Sequence, residues 1–111
     1  MTARLTTEIW IAAYLARLQA AAIPAYLSAK GDPTAGAVAV KLATMNGRAS
    51  VFARAYGPDG GRIWTPLATD APEPEADAAL ARQRRFDPDL WIVEIEDPKG
   101  RTLLDEDGLR E

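Results

Sequence analysis

Residues 82–97 read RQRRFDPDLWIVEIED, and this stretch decides the fold. Pro88 has a fixed φ angle and disfavours the helical region for Asp87, so a helix containing the arginines must end by Phe86 or Asp87. From Leu90 onward the residues fit a strand, in which successive side chains point to opposite faces. The first half of that strand is apolar on both faces, which is typical of an inner strand covered on both sides.

The predicted strand has two different faces. One face carries Trp91, Val93 and Ile95, and the other carries Leu90, Ile92, Glu94 and Glu96. Full burial of the first three side chains would stabilise the fold by about 2 kcal/mol per residue. The two glutamates then emerge at the end of the strand.

On either side of this strand, hydrophobic periodicity and turn residues predict the remaining elements. The predicted elements are a helix at Thr6–Ala22, strands at Ala25–Lys30, Ala37–Met45 and Arg48–Tyr56, a short strand at Arg62–Pro66, a loop at Leu67–Pro74, a helix at Pro74–Arg85 and an edge strand at Arg101–Leu104. Asn46-Gly47 predicts a hairpin with a type I′ turn, because both residues tolerate positive φ angles. Turns are also expected at Gly31–Gly36 and Gly57–Gly61.

These elements predict a single α+β domain with the order α-β-β-β-(β)-α-β-(β). We expect a mainly antiparallel sheet with two helices packed on it, mainly on one side. An acidic, frayed C-terminal tail is expected from about Asp105.

Composition excludes several classes of chemistry. The 111 residues contain no cysteine and no histidine, so disulfides, thiolate nucleophiles, Ser-His-Asp triads and imidazole metal sites are all excluded. The formal net charge is −3, which does not favour nucleic acid or an anionic membrane surface. We expect no cofactor and favour a non-enzymatic role, since no catalytic motif is present. We expect a cytoplasmic location, because Glu8 interrupts any apolar region near the start that could form a signal peptide.

Three segments resemble a known family. They are RLTTEIW at residues 4–10, GDP at 31–33 followed by AGAV at 35–38, and RQRRFDPDLW at 82–91. Together they are similar to the domain of unknown function 1491 (DUF1491) family of small alphaproteobacterial proteins. The resemblance implies a bacterial cytosolic protein, and it brings no activity, ligand or partner.

Four carboxylates form a candidate metal site: Asp87, Asp89, Glu94 and Glu96. Carboxylate oxygens suit Mg²⁺ or Mn²⁺, and such a site would make the chain a metal-dependent hydrolase. The alternative, which we favour, is that the aspartates serve the turn around Pro88 and the glutamates are a solvated strand end.

A second candidate is the arginine cluster Arg82, Arg84 and Arg85, which could bind a phosphate ligand or RNA. We favour the alternative that these charges complement the C-terminal end of the helix dipole and pair with neighbouring aspartates. An aromatic stacking platform, expected of an RNA-binding protein, is not evident from the sequence.

Trp10 and Tyr14 lie one turn apart on the first helix and are candidates for an interface. Core packing is the alternative, and both interpretations stay open. The first helix is apolar on nearly every side, so its outer face is a candidate surface for a partner. Our first hypothesis is therefore a non-enzymatic interaction domain that forms a homodimer, although another protein partner would also fit.

The element order is also similar to the core of restriction-endonuclease-like nucleases. Their chemistry needs an acidic residue two positions before a lysine on one strand. Ala39 occupies that position relative to Lys41, so the motif is not present, and element order alone carries no function.

Overall fold

Two helices and five strands form in the part of the chain that the structure describes. The computed structural model describes residues 5–56, 62–106 and 108–109. In chain order the elements are α1 (Thr7–Ala20), β1 (Ala25–Ala29), β2 (Val38–Ala43), β3 (Arg48–Tyr56), β4 (Arg62–Pro72), α2 (Glu73–Phe86) and β5 (Trp91–Glu96). The predicted α+β class and element order are confirmed. Most observed helix and strand boundaries lie within two residues of the predicted ones.

Strand β5 lies inside the sheet, as its two apolar faces predicted. The strand order is β1-β5-β2-β3-β4. β5 pairs antiparallel with β1 and parallel with β2, with Val40 opposite Val93. All other pairs are antiparallel. The last strand of the chain therefore lies between the first two strands in the sheet.

The helices pack on opposite faces of the sheet, so the prediction that both lie mainly on one side is wrong. On one face, Trp10, Tyr14 and Leu18 of α1 share a core with Val40 and Val93. On the other face, Ala76 and Leu80 of α2 pack with Ala39, Val51 and Ile92. The physical reason is that the inner strands are apolar on both faces, and each face needs its own cover.

Two further predictions are wrong. The segment expected as a loop at Leu67–Pro74 is divided between β4, which runs to Pro72, and the start of α2. Pro66 and Pro72 are tolerated because β4 is an edge strand. The edge strand expected at Arg101–Leu104 does not form, since these residues have no regular secondary structure.

The β2–β3 hairpin is confirmed, but its turn differs from the predicted one. Positive φ angles occur at Met45 (64°) and Gly47 (84°) rather than at Asn46 and Gly47. The Asn46 side chain accepts hydrogen bonds from the Thr44 hydroxyl and the Arg48 amide. Asn46 thus stabilises the turn through its carboxamide. The turn predicted at Gly57–Gly61 lies outside the described residues.

Residues 102–106 and 108–109, which we call the C-terminal strap, cover part of the core on the α1 side. Leu104 and Leu109 are buried in the same cluster as Trp10 and Leu18. The Tyr14 hydroxyl donates to the Thr102 carbonyl at 2.8 Å, and Trp64 Nε1 donates to the Leu109 carbonyl at 3.4 Å. Residues 107, 110 and 111 of the predicted acidic tail lie outside the described residues.

The turn at residues 31–36 packs against the start of β5. Trp91 Nε1 donates to the Asp32 carbonyl at 2.7 Å, and the Asp32 amide donates to the Asp89 carbonyl at 3.0 Å. The Asp32 carboxylate accepts from the amides of Thr34 and Ala35. The turn is therefore closed by its own hydrogen bonds and by Trp91.

We predict that Gly36→Ala destabilises the protein by about 1–3 kcal/mol through overpacking. A Cβ atom at residue 36 would lie 2.7 Å from the carbonyl oxygens of Asp32 and Asp89 and 2.9 Å from Trp91 Cδ1. Urea unfolding provides the measurement. Gly47→Ala is the matched control, because a Cβ there meets open space and only the positive φ angle costs stability. A smaller loss at Gly36 than at Gly47 would contradict the packing described here.

Candidate functional site

A buried lysine lies at the centre of a polar cluster formed by β2, α2 and β5. Lys41 is on β2 and is only 5% exposed. Its Nζ donates to Glu73 Oε2 at 2.7 Å and to Asp77 Oδ1 at 2.6 Å. It also lies 3.6 Å from Glu94 Oε1 on β5. α2 begins directly after β4, and its first two turns carry Glu73 and Asp77. These two side chains extend over the sheet to Lys41 on β2.

The charge state of Lys41 follows from two opposing effects. Burial lowers the pKa of Lys41, but the hydrogen bonds and negative charges of Asp77 and Glu73 outweigh burial and raise that pKa above its ordinary value. The amine is therefore held protonated. A protonated amine is neither a nucleophile nor a general base, so the geometry favours a structural role in which Lys41 fastens α2 to the sheet.

The edge strand β1 extends this cluster. The Tyr26 hydroxyl donates to Glu94 Oε1 at 3.2 Å, and Tyr26 remains 50% exposed. Desolvation and the negative charge of Glu94 raise the pKa of Tyr26. Sequence reasoning considered Glu94 as a metal ligand and Lys41 only in connection with a nuclease motif, and it missed their ion pair because the acidic partners come from α2 and β5. The available signal was a lysine in an otherwise apolar inner strand.

The four predicted metal ligands are not brought together. Asp87 Oδ1 accepts a hydrogen bond from the Asp89 amide at 3.0 Å, which closes the turn around Pro88. Glu94 is engaged by Lys41 and Tyr26, and Glu96 is exposed. Across residues 5–56, 62–106 and 108–109, no group of three or more acidic side chains is arranged to hold a metal ion.

The arginine cluster divides into two parts. Arg84 is bound within the fold, since its guanidinium donates to the Leu90 carbonyl at 3.0 Å and the Lys30 carbonyl at 3.5 Å. Arg82 and Arg85 are exposed. Phe86, the last residue of α2, is 83% exposed. The structure therefore adds an exposed aromatic ring, which the sequence analysis had not recognised, to two of the three predicted arginines.

Trp10 and Tyr14 belong to the core. Trp10 is 3% exposed and Tyr14 is fully buried, and burial raises the pKa of Tyr14. Their ring centroids are 5.0 Å apart, and the Trp64 ring lies 5.7 Å from Trp10. A partner cannot contact side chains that are buried within the chain, so the interface role predicted for these two residues does not fit their position.

The connection after β5 is fixed by a second buried charge. Asp97 is 3% exposed and accepts hydrogen bonds from the Lys99 amide and from the amide and guanidinium of Arg101. Hydrogen bonding from the Arg101 side chain lowers the pKa of Asp97 to about 2. The carboxylate thus stays ionised at neutral pH and orients the chain toward the C-terminal strap.

Comparison with known proteins identifies the family. Residues 5–105 match the family described as Protein of unknown function (DUF1491). The chain belongs to the DUF1491 family. The resemblance noted in the sequence is therefore confirmed. No curated protein is similar to the chain.

Solved structures of related proteins share this fold. A crystal structure and an NMR structure of a DUF1491 family protein from Caulobacter crescentus CB15 are each 42% identical to the chain, with a TM-score of 0.84. The crystal structure match covers 93% of this chain and 97% of the other, and the NMR match covers 95% and 96%. The solution structure of protein Atu0922 from A. tumefaciens is 32% identical, with a TM-score of 0.73 and coverage of 85% and 86%.

The DUF1491 match covers the lysine cluster, the arginines of α2 and the aromatic residues of α1. It ends within the C-terminal strap, before Leu109. No helix in the described part of the chain is long and apolar enough to cross a membrane.

We predict that Lys41→Met destabilises the protein by about 1–3 kcal/mol. This loss of stability is smaller than the loss expected when a fully buried ion pair is broken. The reason is that the side chains of Glu73 and Asp77 are 41% and 55% exposed and keep much of their hydration. Chemical unfolding at pH 7 measures the change, and exposed Lys99→Met is the matched control.

The stability difference between the wild type and Lys41→Met should depend on pH. Because the pKa of Lys41 is raised on folding, its stabilising contribution is complete below its ordinary pKa of 10.5 and declines as the pH rises through the folded value. The stability difference between wild type and Lys41→Met should therefore narrow in strongly alkaline solution. A variant as stable as the wild type at pH 7 would refute this role for Lys41.

Proposed function

We propose that this DUF1491 protein is a non-enzymatic interaction domain of the bacterial cytoplasm that forms a homodimer through the outer face of α1. We define that face by its exposed residues Ile9, Ala12, Ala13, Ala16 and Ala20. The observation that carries the proposal is Ile9, a large aliphatic residue on this face that is 55% exposed.

The outer face of α1 is apolar along the whole helix. The charged residues Glu8 and Arg17 and the amide Gln19 are the polar side chains exposed on α1, and they flank the outer face. The buried side of α1 is supplied by other residues, including Trp10, Tyr14 and Leu18. The alanines on the opposite side are therefore not required by the core of the chain, and their small size permits close approach of another helix.

An antiparallel pair of α1 helices would give this face a complementary partner. About a two-fold axis near Ala12 and Ala13, Ile9 of one copy lies opposite Ala16 of the other, so a large residue meets a small one twice. The helix of 14 residues is about 21 Å long. A contact of that length is at the small end of specific interfaces, so we expect a dimer that dissociates on dilution.

The sheet edges support the choice of α1. Edge strand β1 has a register shift between Leu27 and Ala29 against β5, and edge strand β4 contains Pro66 and Pro72. Bulges and prolines are devices that block pairing between edge strands of different molecules. Self-association through the sheet edges is therefore disfavoured in comparison with helix packing.

We predict that Ile9→Lys abolishes dimerisation without a loss of folding, because the substitution places two charges, one from each copy, within an apolar contact. Sedimentation velocity up to about 200 μM protein covers the weak affinities expected for a small interface. Ile63→Lys is the matched control, since Ile63 is a similarly exposed isoleucine at 47% but lies on β4. The proposal would be refuted if the wild type were monomeric over this concentration range, or if Ile63→Lys weakened dimerisation as much as Ile9→Lys does.

Binding of single-stranded RNA is a second candidate function. Phe86 at 83% exposure supplies a ring on which a base can stack, and the exposed Arg82 and Arg85 supply charge for phosphates. Two features oppose it: the net charge is −3, and the arginines lie at the helix end where the dipole disfavours anions. This candidate therefore ranks below self-association.

If RNA is the ligand, Phe86→Ala should weaken binding by about 1–3 kcal/mol, the value of one stacked base. Fluorescence anisotropy with a labelled single-stranded RNA of about 12 nucleotides measures the affinity at two salt concentrations. Arg48→Ala, an exposed arginine on β3, is the control and should have a smaller effect than Arg85→Ala. Absence of binding at low salt would eliminate this candidate.

A further inference from the structure

The β2–β3 turn contains the single asparagine of the sequence, and a glycine follows it directly. Asn46 and Gly47 are both exposed, and a Cβ atom at residue 47 would have nothing within 4 Å. The backbone amide after an asparagine can attack the asparagine carboxamide, and a glycine leaves that amide least crowded because it has no side chain. The turn therefore meets the first requirement for deamidation.

The carboxamide of Asn46 is held in a defined position. Its Oδ1 accepts hydrogen bonds from the Thr44 hydroxyl at 2.6 Å and from the Arg48 amide at 3.2 Å. A bond from the amide two residues onward brings the carboxamide back toward the intervening Gly47 peptide unit, in the manner of an Asx turn. Both donors point at the oxygen that becomes negatively charged when the carboxamide carbon is attacked, and such donors stabilise an oxyanion.

We propose that the β2–β3 turn promotes spontaneous deamidation of Asn46, and that the isoaspartate product releases the start of α2 from this turn. The Gly47 amide nitrogen forms a bond to Asn46 Cγ, and its proton passes through solvent to the carboxamide nitrogen, which leaves as ammonia. The product is a succinimide ring. Water opens the ring at the backbone carbonyl to give isoaspartate, or at the side-chain carbonyl to give aspartate. The net reaction consumes water and releases ammonia.

The start of α2 depends on the same turn. The Glu73 amide donates to the Gly47 carbonyl at 2.9 Å. Pro72, which precedes α2, provides no side-chain cap, so this bond satisfies a backbone N–H that the helix itself leaves free. Isoaspartate lengthens the main chain by the Cβ atom of residue 46 and so moves the Gly47 carbonyl. Because Glu73 also binds Lys41 at 2.7 Å, this movement would loosen an ion pair that fastens α2 to the sheet.

The first measurement compares the folded protein with the same chain unfolded in guanidinium chloride, both incubated in mildly alkaline buffer. Trypsin then releases residues 42–48, which contain Asn46, and mass spectrometry measures the conversion of amide to acid and distinguishes isoaspartate from aspartate. The unfolded chain gives the rate set by Asn-Gly alone, and the folded protein should convert as fast or faster. A folded rate more than about tenfold lower, which means a barrier raised by the fold, would overturn the proposal.

Variants at residue 44 test the role of the hydroxyl. Thr44→Val removes the donor and keeps the shape of the side chain, and it should slow conversion of the folded protein about tenfold, a smaller loss than in an enzyme because the turn is exposed. Thr44→Ser keeps the hydroxyl and is the matched control, which should convert at the wild-type rate. Unchanged or faster conversion of Thr44→Val would contradict the proposed promotion by the turn.

The effect on α2 is measured on the converted protein, which anion-exchange chromatography separates by its added negative charge. Hydrogen exchange of the Glu73 amide, followed by NMR, should be at least about tenfold faster in the isoaspartate form than in the untreated protein. Asn46→Asp is the matched control, because it supplies the charge on an ordinary backbone and should keep this amide protected. Equal protection in the isoaspartate form would refute the release of α2. None of these measurements involves α1, so their outcome is independent of dimerisation.

Discussion

The burial of β5 on both faces is the constraint on which the rest of the structure depends. A strand that is apolar on two sides requires a layer on each side, and the chain supplies α1 for one face and α2 for the other. Val93 and Ile95 are fully buried and Trp91 nearly so, at about 2 kcal/mol of stabilisation each. Because β5 is the last strand, it joins segments that are distant in sequence, with β1 on one side and β2 on the other.

Lys41 is a charged residue among the apolar side chains of the inner strands. Its ion pairs explain why Glu73 and Asp77 of α2 are acidic. The acidic residues at the start of α2 complement the helix dipole, but Glu73 and Asp77 also neutralise a lysine that is 5% exposed. Removal of a buried lysine would leave these carboxylates without their cation. The cluster therefore couples the position of α2 to the sheet, and it places three carboxylates around an amine that stays protonated rather than around a metal ion.

The two sides of α1 have different surroundings. The sheet-facing side contains the aromatic rings of Trp10 and Tyr14, and the Trp10 indole N–H has no hydrogen-bond partner among the described residues. The opposite side consists of Ile9 and alanines that are exposed.

The sequence by itself determined the element order, the α+β class and the inner position of β5, because these follow from local periodicity and from turn residues such as Pro88. It also identified the family through segments along the chain. Tertiary structure decided the features that depend on distant partners: which face each helix covers, the ion pairs of Lys41, the use of Arg84 inside the fold and the exposure of Phe86. Trp10 and Tyr14 show the difference most clearly, since periodicity placed them on one stripe of α1 but could not tell whether a partner or the core would cover it. Only the packing of α1, β4 and the C-terminal strap around that stripe settled the matter, because burial is a property of all the segments that meet in space.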